Sequence, residues 1–358
     1  MAPLPASAWS SWRGNTPPMA TGIDLLVPGL LGPMPGLGDM DASPQVPSLE
    51  RALSRANVSD IAQKDYAATL FHLFGLGQNQ SGDLPTAPYR RLGDGGQTND
   101  RYWIQLSPVH LQPDGDGLLL FDSAHLGLSL EEAQQLTDLV RDHFSDRDWT
   151  LELFDPQRWY LGLDEQPDLQ TSPLNDVIGR NINRYLPRGD HAMEWHVILN
   201  ELQMLLHTSK VNMLREGRGQ LPINGLWPHG GGSYHPLEQI DYTLVAGDDP
   251  LLQGMAQAAG IEATALPSDS SELKAEKQKC LAVYDQMLRP VLDADLHGWI
   301  GAAEGFNRWL ETLLDAVRTK QLIYIDLYPC NGTLYRISAS GLRRFWKRSK
   351  PLTSFISA

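Results

Sequence analysis

The sequence has few cysteines, no long apolar run and no excess of basic charge. Its two cysteines, Cys280 and Cys330, form no metal-spaced cluster and fit a reducing cytoplasm better than a disulfide scaffold. The apolar segment 23–31 is far shorter than the roughly 20 residues that a membrane helix needs. A net charge of −14 repels phosphate backbones and anionic lipids, so we expect neither nucleic acid nor a membrane surface as a partner. These absences predict a cytoplasmic protein.

The start of the chain lacks the pattern of a secretion signal. Residues 1–18 contain a lone Arg13 and no basic start followed by an apolar stretch. We therefore interpret residues 1–19 as a flexible lead. The full length of 358 residues, with 42% apolar and 20% charged residues, is typical of a soluble globular protein with one large domain or two.

Both ends of the chain alternate between short apolar strands and longer helices. Residues 23–27 form an apolar run that ends at Pro28-Gly29, which indicates a buried strand leading into a turn. After residue 230 we predict strands over residues 242–245, 263–266 and 322–326, and helices over residues 251–259, 273–284 and 299–319. This alternation predicts an α/β core formed by residues 20–92 and 233–340.

The middle of the chain has a different pattern. Short strands are predicted over residues 102–106, 118–121, 149–154 and 158–163. One helix begins after Ser129, which with Glu132 three residues later forms the pattern of a capping box. Antiparallel strands with a helix inside an α/β chain predict an inserted α+β domain, which we assign to residues 93–232.

Residues 341–358 form a basic tail. They include Arg343, Arg344, Lys347, Arg348 and Lys350 together with aromatic residues, a pattern seen in nucleic-acid contacts. Because the chain as a whole is acidic, we interpret the tail as a helix end followed by a loose terminus, or at most as a docking peptide.

The most specific segment spans residues 211–232 and ends in three glycines. Its candidate ligand-binding residues are Arg215, Arg218, Asn224, Trp227, Gly230, Gly231 and Gly232. Glycines let the backbone approach a ligand closely, and successive backbone N–H groups can form an anion-binding nest. The planar guanidinium groups of the two arginines suit phosphate. The competing interpretation is a tight crossover between domains, with Trp227 in the core.

This segment resembles the signature of the archaeal-type, cofactor-independent phosphoglycerate mutases, in which N-x-x-R-x-x-x-G leads into P-A-N-x-I-W-x-W-G-x-G. The matching residues are Asn212, Arg215, Gly219, Pro222, Asn224, Trp227, Gly230 and Gly232. Further segments follow the family in order over roughly residues 22–330, among them Asp116-Gly117 and the Glu132-Ala133 pair. The family belongs to the alkaline-phosphatase-like superfamily, so the resemblance implies an α/β core of that type with an inserted α+β domain.

The same resemblance implies that much of the family's chemistry is lost. In these mutases two metal ions held by Asp and His activate a Ser or Thr that accepts phosphate. Pro28 stands where the first Asp ligand is expected, Tyr66 where the nucleophile is expected, and Leu327 where a His is expected. The resemblance therefore implies that the catalytic machinery is degenerate.

Three remnant metal ligands match the family: Asp293, His297 and Asp326. The four-residue spacing of Asp293 and His297 predicts that both lie on one helix face. Their competing interpretation is a solvated pair on a helix surface. No histidine follows His297, so the matched positions do not supply ligands for two metals. We expect no cofactor, and Mn or Zn only if the site has been rewired.

Three functions remain open. The first is a catalytically degenerate relative of the mutases that acts as a regulatory or ligand-binding protein; bacterial chains of this kind are described as Rpf-type regulatory proteins. The second is an active 2,3-bisphosphoglycerate-independent phosphoglycerate mutase or phosphatase with a rewired metal site. The third is a structural partner subunit. The partners that we expect are a phosphorylated small molecule and a protein.

Overall fold

The computed structural model describes residues 22–37, 44–76, 83–238, 240–273 and 279–356, so the predicted lead over residues 1–19 lies outside the described residues. In chain order the strands are β1 (Gly22–Leu26), β2 (Asn57–Asp60), β3 (Tyr102–Asp114), β4 (Gly117–Asp122), β5 (Thr150–Asp155), β6 (Arg158–Leu163), β7 (Gly225–Ser233), β8 (Leu244–Ala246), β9 (Glu262–Thr264), β10 (Lys279–Val283), β11 (Tyr324–Tyr328) and β12 (Thr333–Ser338). The helices are α1 (Pro47–Arg55), α2 (Tyr66–Leu73), α3 (Thr86–Gly93), α4 (Leu130–His143), α5 (Ala192–His207), α6 (Lys210–Gly217), α7 (Pro250–Ala258), α8 (Leu288–Leu292), α9 (Leu296–Arg318) and α10 (Ala339–Leu342). None of them, within these described ranges, is both long and apolar enough to cross a bilayer.

The main sheet has the strand order β2-β12-β11-β1-β10-β8-β9. Its centre is parallel: β1 pairs with β10 and β11, and β8 pairs with β10 and β9. Only the β12 and β2 edge is antiparallel. Parallel strands are covered on both faces, which explains why β1 is buried along its whole length.

One secondary-structure prediction for this sheet was wrong. A helix was expected over residues 273–284, but residues 279–283 form the strand β10 next to β1 at the centre of the sheet. The short run Cys280-Leu-Ala-Val is apolar throughout, and periodicity alone does not separate a buried strand from a buried helix segment. These residues form a strand because they lie between the parallel strands β1 and β8 and pair with both.

Helices cover both faces of the main sheet. α1 and α9 pack on one face, and α2, α3 and α7 contribute to the core on the other. The contact between α3 and α7 depends on two glycines, since a Cβ at Gly93 would lie 1.9 Å from the carbonyl oxygen of Pro250 and one at Gly254 would lie 1.7 Å from that of Tyr89. This close packing fixes α3 on the main sheet.

A second sheet is built from the middle of the chain. Its order is β4-β3-β6-β5, with β7 on the other edge of β3, and all of its pairs are antiparallel. The core beneath it contains side chains of α4, α5 and α6. The glycine-rich end of the segment 211–232 therefore belongs to the strand β7. Its glycines sit where side chains would collide, with Thr86 at Gly230, Tyr102 at Gly231 and Pro85 at Gly232.

The observed architecture confirms the expected fold class, a parallel α/β core with an inserted α+β domain. The domain boundaries at residues 92–93 and 232–233 stay predictions. The basic tail is not a loose end, because Leu352 is buried and its backbone N–H donates to Glu50 Oε1 at 2.9 Å on α1.

Candidate functional site between the two sheets

A cleft of about 550 Å³ lies between the second sheet and the helices that follow β10. Phe121, Asp122 and His125 line it from the inserted region, and Arg289 on α8 and Asp293 directly after α8 line it from the other side. Because α8 follows the carboxyl end of β10, the cleft lies near the edge of a parallel sheet where ligands bind in α/β folds. This cleft is our candidate functional site.

Arg289 connects the two walls of the cleft. Its Nη1 donates to Asp122 Oδ2 at 2.5 Å, and its Nε donates to Asp293 Oδ2 at 2.8 Å. His125 Nε2 lies 2.7 Å from the same oxygen of Asp293. The hydrogen bond from Arg289 lowers the pKa of Asp293 below its ordinary value, and His125 lowers it further. The guanidinium thus neutralises a carboxylate that the family resemblance assigns to a metal.

The predicted helix face that joins Asp293 to His297 does not exist. α8 ends at Leu292, Asp293 is its C-cap, and Ala294 has a φ of 52°, a left-handed conformation. Asp295 then caps α9 by accepting a hydrogen bond from the Gly298 N–H at 3.0 Å. The chain therefore breaks between the two residues, and His297 is an exposed residue in the first turn of a different helix.

Asp326 lies apart from this cleft. It is the third residue of β11, and Arg336 on β12 donates to both of its carboxylate oxygens, at 2.7 and 2.5 Å. Asp24 is its register partner on β1 and accepts a hydrogen bond from the Tyr242 hydroxyl at 2.5 Å. Burial raises the pKa of Asp24, and the charge of Asp326 adds to that rise. The described residues contain no group of three His, Cys, Asp or Glu side chains placed to hold a metal ion.

A second polar cluster surrounds Tyr66, the residue at the nucleophile position of the resemblance. Tyr66 begins α2, and its hydroxyl is buried without a hydrogen-bond partner among the described residues. Burial, followed by the charge of Asp249, raises the pKa of Tyr66 well above its ordinary value. Arg90 Nη1 lies 3.0 Å from Asp249 Oδ1. The phenol is therefore neutral and is a poor nucleophile.

A serine and a histidine from the second sheet lie next to this cluster. Ser107 Oγ is 3.0 Å from His229 Nε2, and Gln105 Nε2 donates to the same hydroxyl at 3.2 Å. Burial, followed by the charge of Arg90, lowers the pKa of His229 to about 3. His229 is therefore neutral near pH 7, and its ring nitrogen can exchange a hydrogen bond with Ser107.

The structure buries Arg215 among internal hydrogen-bond partners. Its side chain is 0% exposed, and its Nη1 donates to Glu132 Oε2 at 2.9 Å. Its Nε donates to the carbonyl of Leu221 at 2.9 Å, and its Nη2 donates to the carbonyl of Leu126 at 2.5 Å. The prediction that Arg215 binds a ligand is corrected: a buried guanidinium needs partners, and this one finds them inside the protein.

The other predicted ligand residues do not gather around it. The Asn224 side-chain amide accepts a hydrogen bond from the Leu111 backbone N–H and donates one to the Leu111 carbonyl. The Trp227 indole N–H donates to the Ser172 carbonyl at 2.9 Å. Arg218 is exposed and forms no ion pair within the described ranges. Gly225 and Gly232 pair with Val109 and Trp103, so about seven residues of strand, roughly 23 Å, separate the two ends of this motif. The motif is a strand with structural contacts rather than one pocket.

Of the residues that line the cleft, sequence reasoning found Asp293 and missed its partners. Arg289 and Asp122 carry no motif, and they meet only because α8 and β4 approach each other in space. The Arg90–Asp249 pair had a weak signal, since Asp249 precedes Pro250 at a helix start and is the N-cap of α7.

Comparisons with known proteins agree with the mutase resemblance. No family model matches this chain. A 2,3-bisphosphoglycerate-independent phosphoglycerate mutase of Methanothrix thermoacetophila is 30% identical over 99 residues, covering 26% of this chain and 25% of that protein. A 2,3-bisphosphoglycerate-independent phosphoglycerate mutase 2 of Methanothermobacter thermautotrophicus is 26% identical over 163 residues, covering 40% of this chain and 39% of that protein. The matches therefore span a quarter to two fifths of the length of these relatives.

Two solved structures are similar over most of the chain. The PH0037 protein from Pyrococcus horikoshii has a TM-score of 0.54 at 16% identity, covering 89% of this chain and 88% of that one. A cofactor-independent phosphoglycerate mutase from Thermoplasma acidophilum has a TM-score of 0.45 at 15% identity, covering 95% of this chain and 96% of that one. The first likeness establishes a shared α/β fold. In sequence, the chain is similar to the cofactor-independent phosphoglycerate mutases.

Proposed function

We propose that this chain is a catalytically degenerate relative of the cofactor-independent phosphoglycerate mutases that acts as a regulatory or ligand-binding protein. The observation that carries the proposal is Arg289, which bridges Asp122 and Asp293 in the cleft. Asp293 belongs to the motif that supplies a metal ligand in the resembling family, and here its charge is already balanced by a guanidinium. Tyr66, a buried neutral phenol, takes the place of the phosphate-accepting hydroxyl.

The residues present do not fit a two-metal centre. Asp293, His297 and Asp326 occupy three separate environments, and Pro28, Tyr66 and Leu327 carry no carboxylate or imidazole. No step of the proposed function therefore runs through a metal. Mn or Zn belongs only to the alternative in which other residues have taken over the ligand positions.

The cleft suggests how a phosphorylated small molecule would bind. The Arg289 side chain is 33% exposed, whereas Arg215 is fully buried. Phosphate competes with carboxylates for the same guanidinium donors, so it must displace Asp122 or Asp293. Since Asp122 belongs to the second sheet and Arg289 to α8, binding would loosen a contact between the two walls. Under this proposal, a ligand-dependent change of this contact is the basis of regulation.

The first test combines turnover with binding. We expect no interconversion of 3-phosphoglycerate and 2-phosphoglycerate by the purified protein with Mn²⁺ or Zn²⁺ added. Calorimetry should detect 3-phosphoglycerate binding, Arg289→Ala should abolish it, and Arg318→Ala, which removes an exposed arginine on α9, should leave it unchanged. Asp122→Asn should tighten binding by about 10- to 150-fold, because a charge-assisted hydrogen bond that competes with the ligand is worth about 1.5–3 kcal/mol.

The outcomes separate the three functions. Metal-dependent turnover would refute the degenerate assignment and favour an active mutase or phosphatase. The absence of both turnover and binding would remove the support for a ligand-binding protein and favour a structural partner subunit. Binding that Asp122→Asn weakens would show that Arg289 is not the anion-binding group.

One observation favours the active alternative. Ser107 and the neutral His229 form a hydroxyl–imidazole pair at 3.0 Å beside Arg90, which is the geometry of a serine–histidine pair, although a pKa of about 3 makes this imidazole a weak base. Under this alternative the protein is a phosphatase or mutase with a rewired site, and Ser107→Ala abolishes turnover. If Ser107→Ala retains full turnover, the nucleophile lies elsewhere.

A further inference from the structure

Two aromatic side chains near the end of the described chain are unusually exposed. Phe345 and Trp346 are 82% and 67% exposed, whereas the exposed phenylalanines Phe121 and Phe154 are each 37% exposed. The rings of Phe345 and Trp346 pack edge to face, with centroids 5.2 Å apart. They form a small apolar knob that touches water. We call residues 343–350, which carry this knob, the basic loop.

The basic loop concentrates positive charge around the knob. Its cations are Arg343, Arg344, Lys347, Arg348 and Lys350. None of them forms an ion pair in the part of the chain that the structure describes, and residues 339–358 contain no Asp or Glu. Because the whole chain has a net charge of −14, the remaining 338 residues have a net charge of −19. The charge of the protein is therefore strongly segregated.

The basic loop is held in place at both of its ends. On one side Arg55 Nη1 donates to the Leu342 carbonyl at 2.8 Å. On the other side the Lys350 N–H donates to Ser54 Oγ at 2.9 Å, and Leu352 is buried against the main core. These contacts fix the backbone on α1 while the aromatic tips stay bare, so the knob is a feature of the folded protein.

We propose that the basic loop docks the protein on the surface of an anionic lipid bilayer. Lys and Arg near such a surface are attracted by its negative potential, and aromatic rings settle at the boundary between headgroups and acyl chains. Phe345 and Trp346 supply the apolar contact, and the exposed cations Arg343, Lys347, Arg348 and Lys350 contact lipid phosphates. This inference concerns a different surface from the cleft and does not depend on the proposed function.

The charge segregation revises the expectation that an acidic chain avoids membranes. At physiological ionic strength a charge is screened over about 8 Å, so the acidic remainder acts only weakly on a surface that the basic loop touches. A single-stranded nucleic acid is the competing partner, because its bases stack on aromatic rings. The edge-to-face pair favours the bilayer, since it covers part of the ring surface needed for stacking while keeping a compact apolar knob.

The test measures co-sedimentation of the full chain with vesicles. Vesicles of phosphatidylcholine with 30% phosphatidylserine should pellet the protein at 0.1 M salt, and vesicles of pure phosphatidylcholine should not. Lys347→Gln/Arg348→Gln should weaken the partition coefficient by about 25-fold, or about fivefold for each charge removed. Phe345→Ser/Trp346→Ser should weaken binding at 0.1 M and at 0.5 M salt alike, because the apolar contact is not screened.

A matched control removes two exposed cations elsewhere. Lys64→Gln/Lys210→Gln lowers the net charge equally and should leave vesicle binding within a factor of three. All of these positions are exposed, so the variants should keep the parent unfolding temperature. Equal binding to both vesicle types, or equal losses in the control and in the Lys347/Arg348 variant, would overturn the proposal. Binding to a 15-nucleotide oligothymidylate without vesicle binding would assign the surface to nucleic acid instead.

Discussion

Replacing Arg215 tests whether the most specific sequence motif is structural or binds a ligand. Arg215→Met keeps the aliphatic stem but removes a guanidinium that is fully buried and bonded to Glu132 and to two backbone carbonyls. Orphaning a buried polar group costs about 1–3 kcal/mol, and breaking a buried ion pair costs about 3–5 kcal/mol in total. We therefore expect a loss of about 3–5 kcal/mol in the free energy of unfolding.

Equilibrium unfolding in urea measures this loss, with Arg218→Met as the matched control. Arg218 lies three residues further along, is exposed and forms no ion pair among the described residues, so its replacement should change stability by less than about 0.5 kcal/mol. In a cycle with Glu132→Gln, the double variant should lose less than the sum of the single variants, because they share one interaction. A loss below about 1 kcal/mol for Arg215→Met, together with lost ligand binding, would refute the structural assignment.

Two further predictions concern packing and pH. Gly254→Ala should destabilise the protein by several kcal/mol, because the new Cβ would lie 1.7 Å from the Tyr89 carbonyl oxygen. Gly301→Ala should instead stabilise α9 by about 0.5–1 kcal/mol, because a Cβ at this position meets no atom within 4 Å. Thermal unfolding of the two variants measures this difference. The pKa of His229 is about 3 in the folded protein, below its unfolded value of about 6.5. Its contribution to the free energy of unfolding is therefore fully present above pH 6.5 and is lost as the pH falls towards 3. At pH 4 the loss of stability from this group amounts to about 3 kcal/mol. His229→Gln should therefore lose less stability between pH 7 and pH 4 than the parent protein. Identical pH profiles of stability would show that His229 is not buried as a neutral group.

The contrast between Arg215 and Arg289 shows why the site was predicted only in part. Arg215 stands in a recognisable motif, and the sequence gives no sign that Glu132, 83 residues away, uses up its charge. Arg289 stands in no motif, and its partner Asp122 is 167 residues away. Local patterns carry information about neighbours in the chain. Which charges remain free for a ligand depends on contacts between distant segments.

The sequence by itself determined the layout of the fold. Its apolar runs and glycines predicted β1, β11 and the long helix α9. The different pattern of apolar residues after residue 100 predicted the antiparallel strands of the inserted region. Both predictions are possible because burial of one or both faces of an element gives its apolar residues a regular spacing in the sequence. Tertiary structure decided the rest. It turned residues 279–283 into a central strand and broke the chain between Asp293 and His297. It also paired the partly exposed cleft arginine with two carboxylates, because the free energy of a charge depends on partners that only the folded chain brings together.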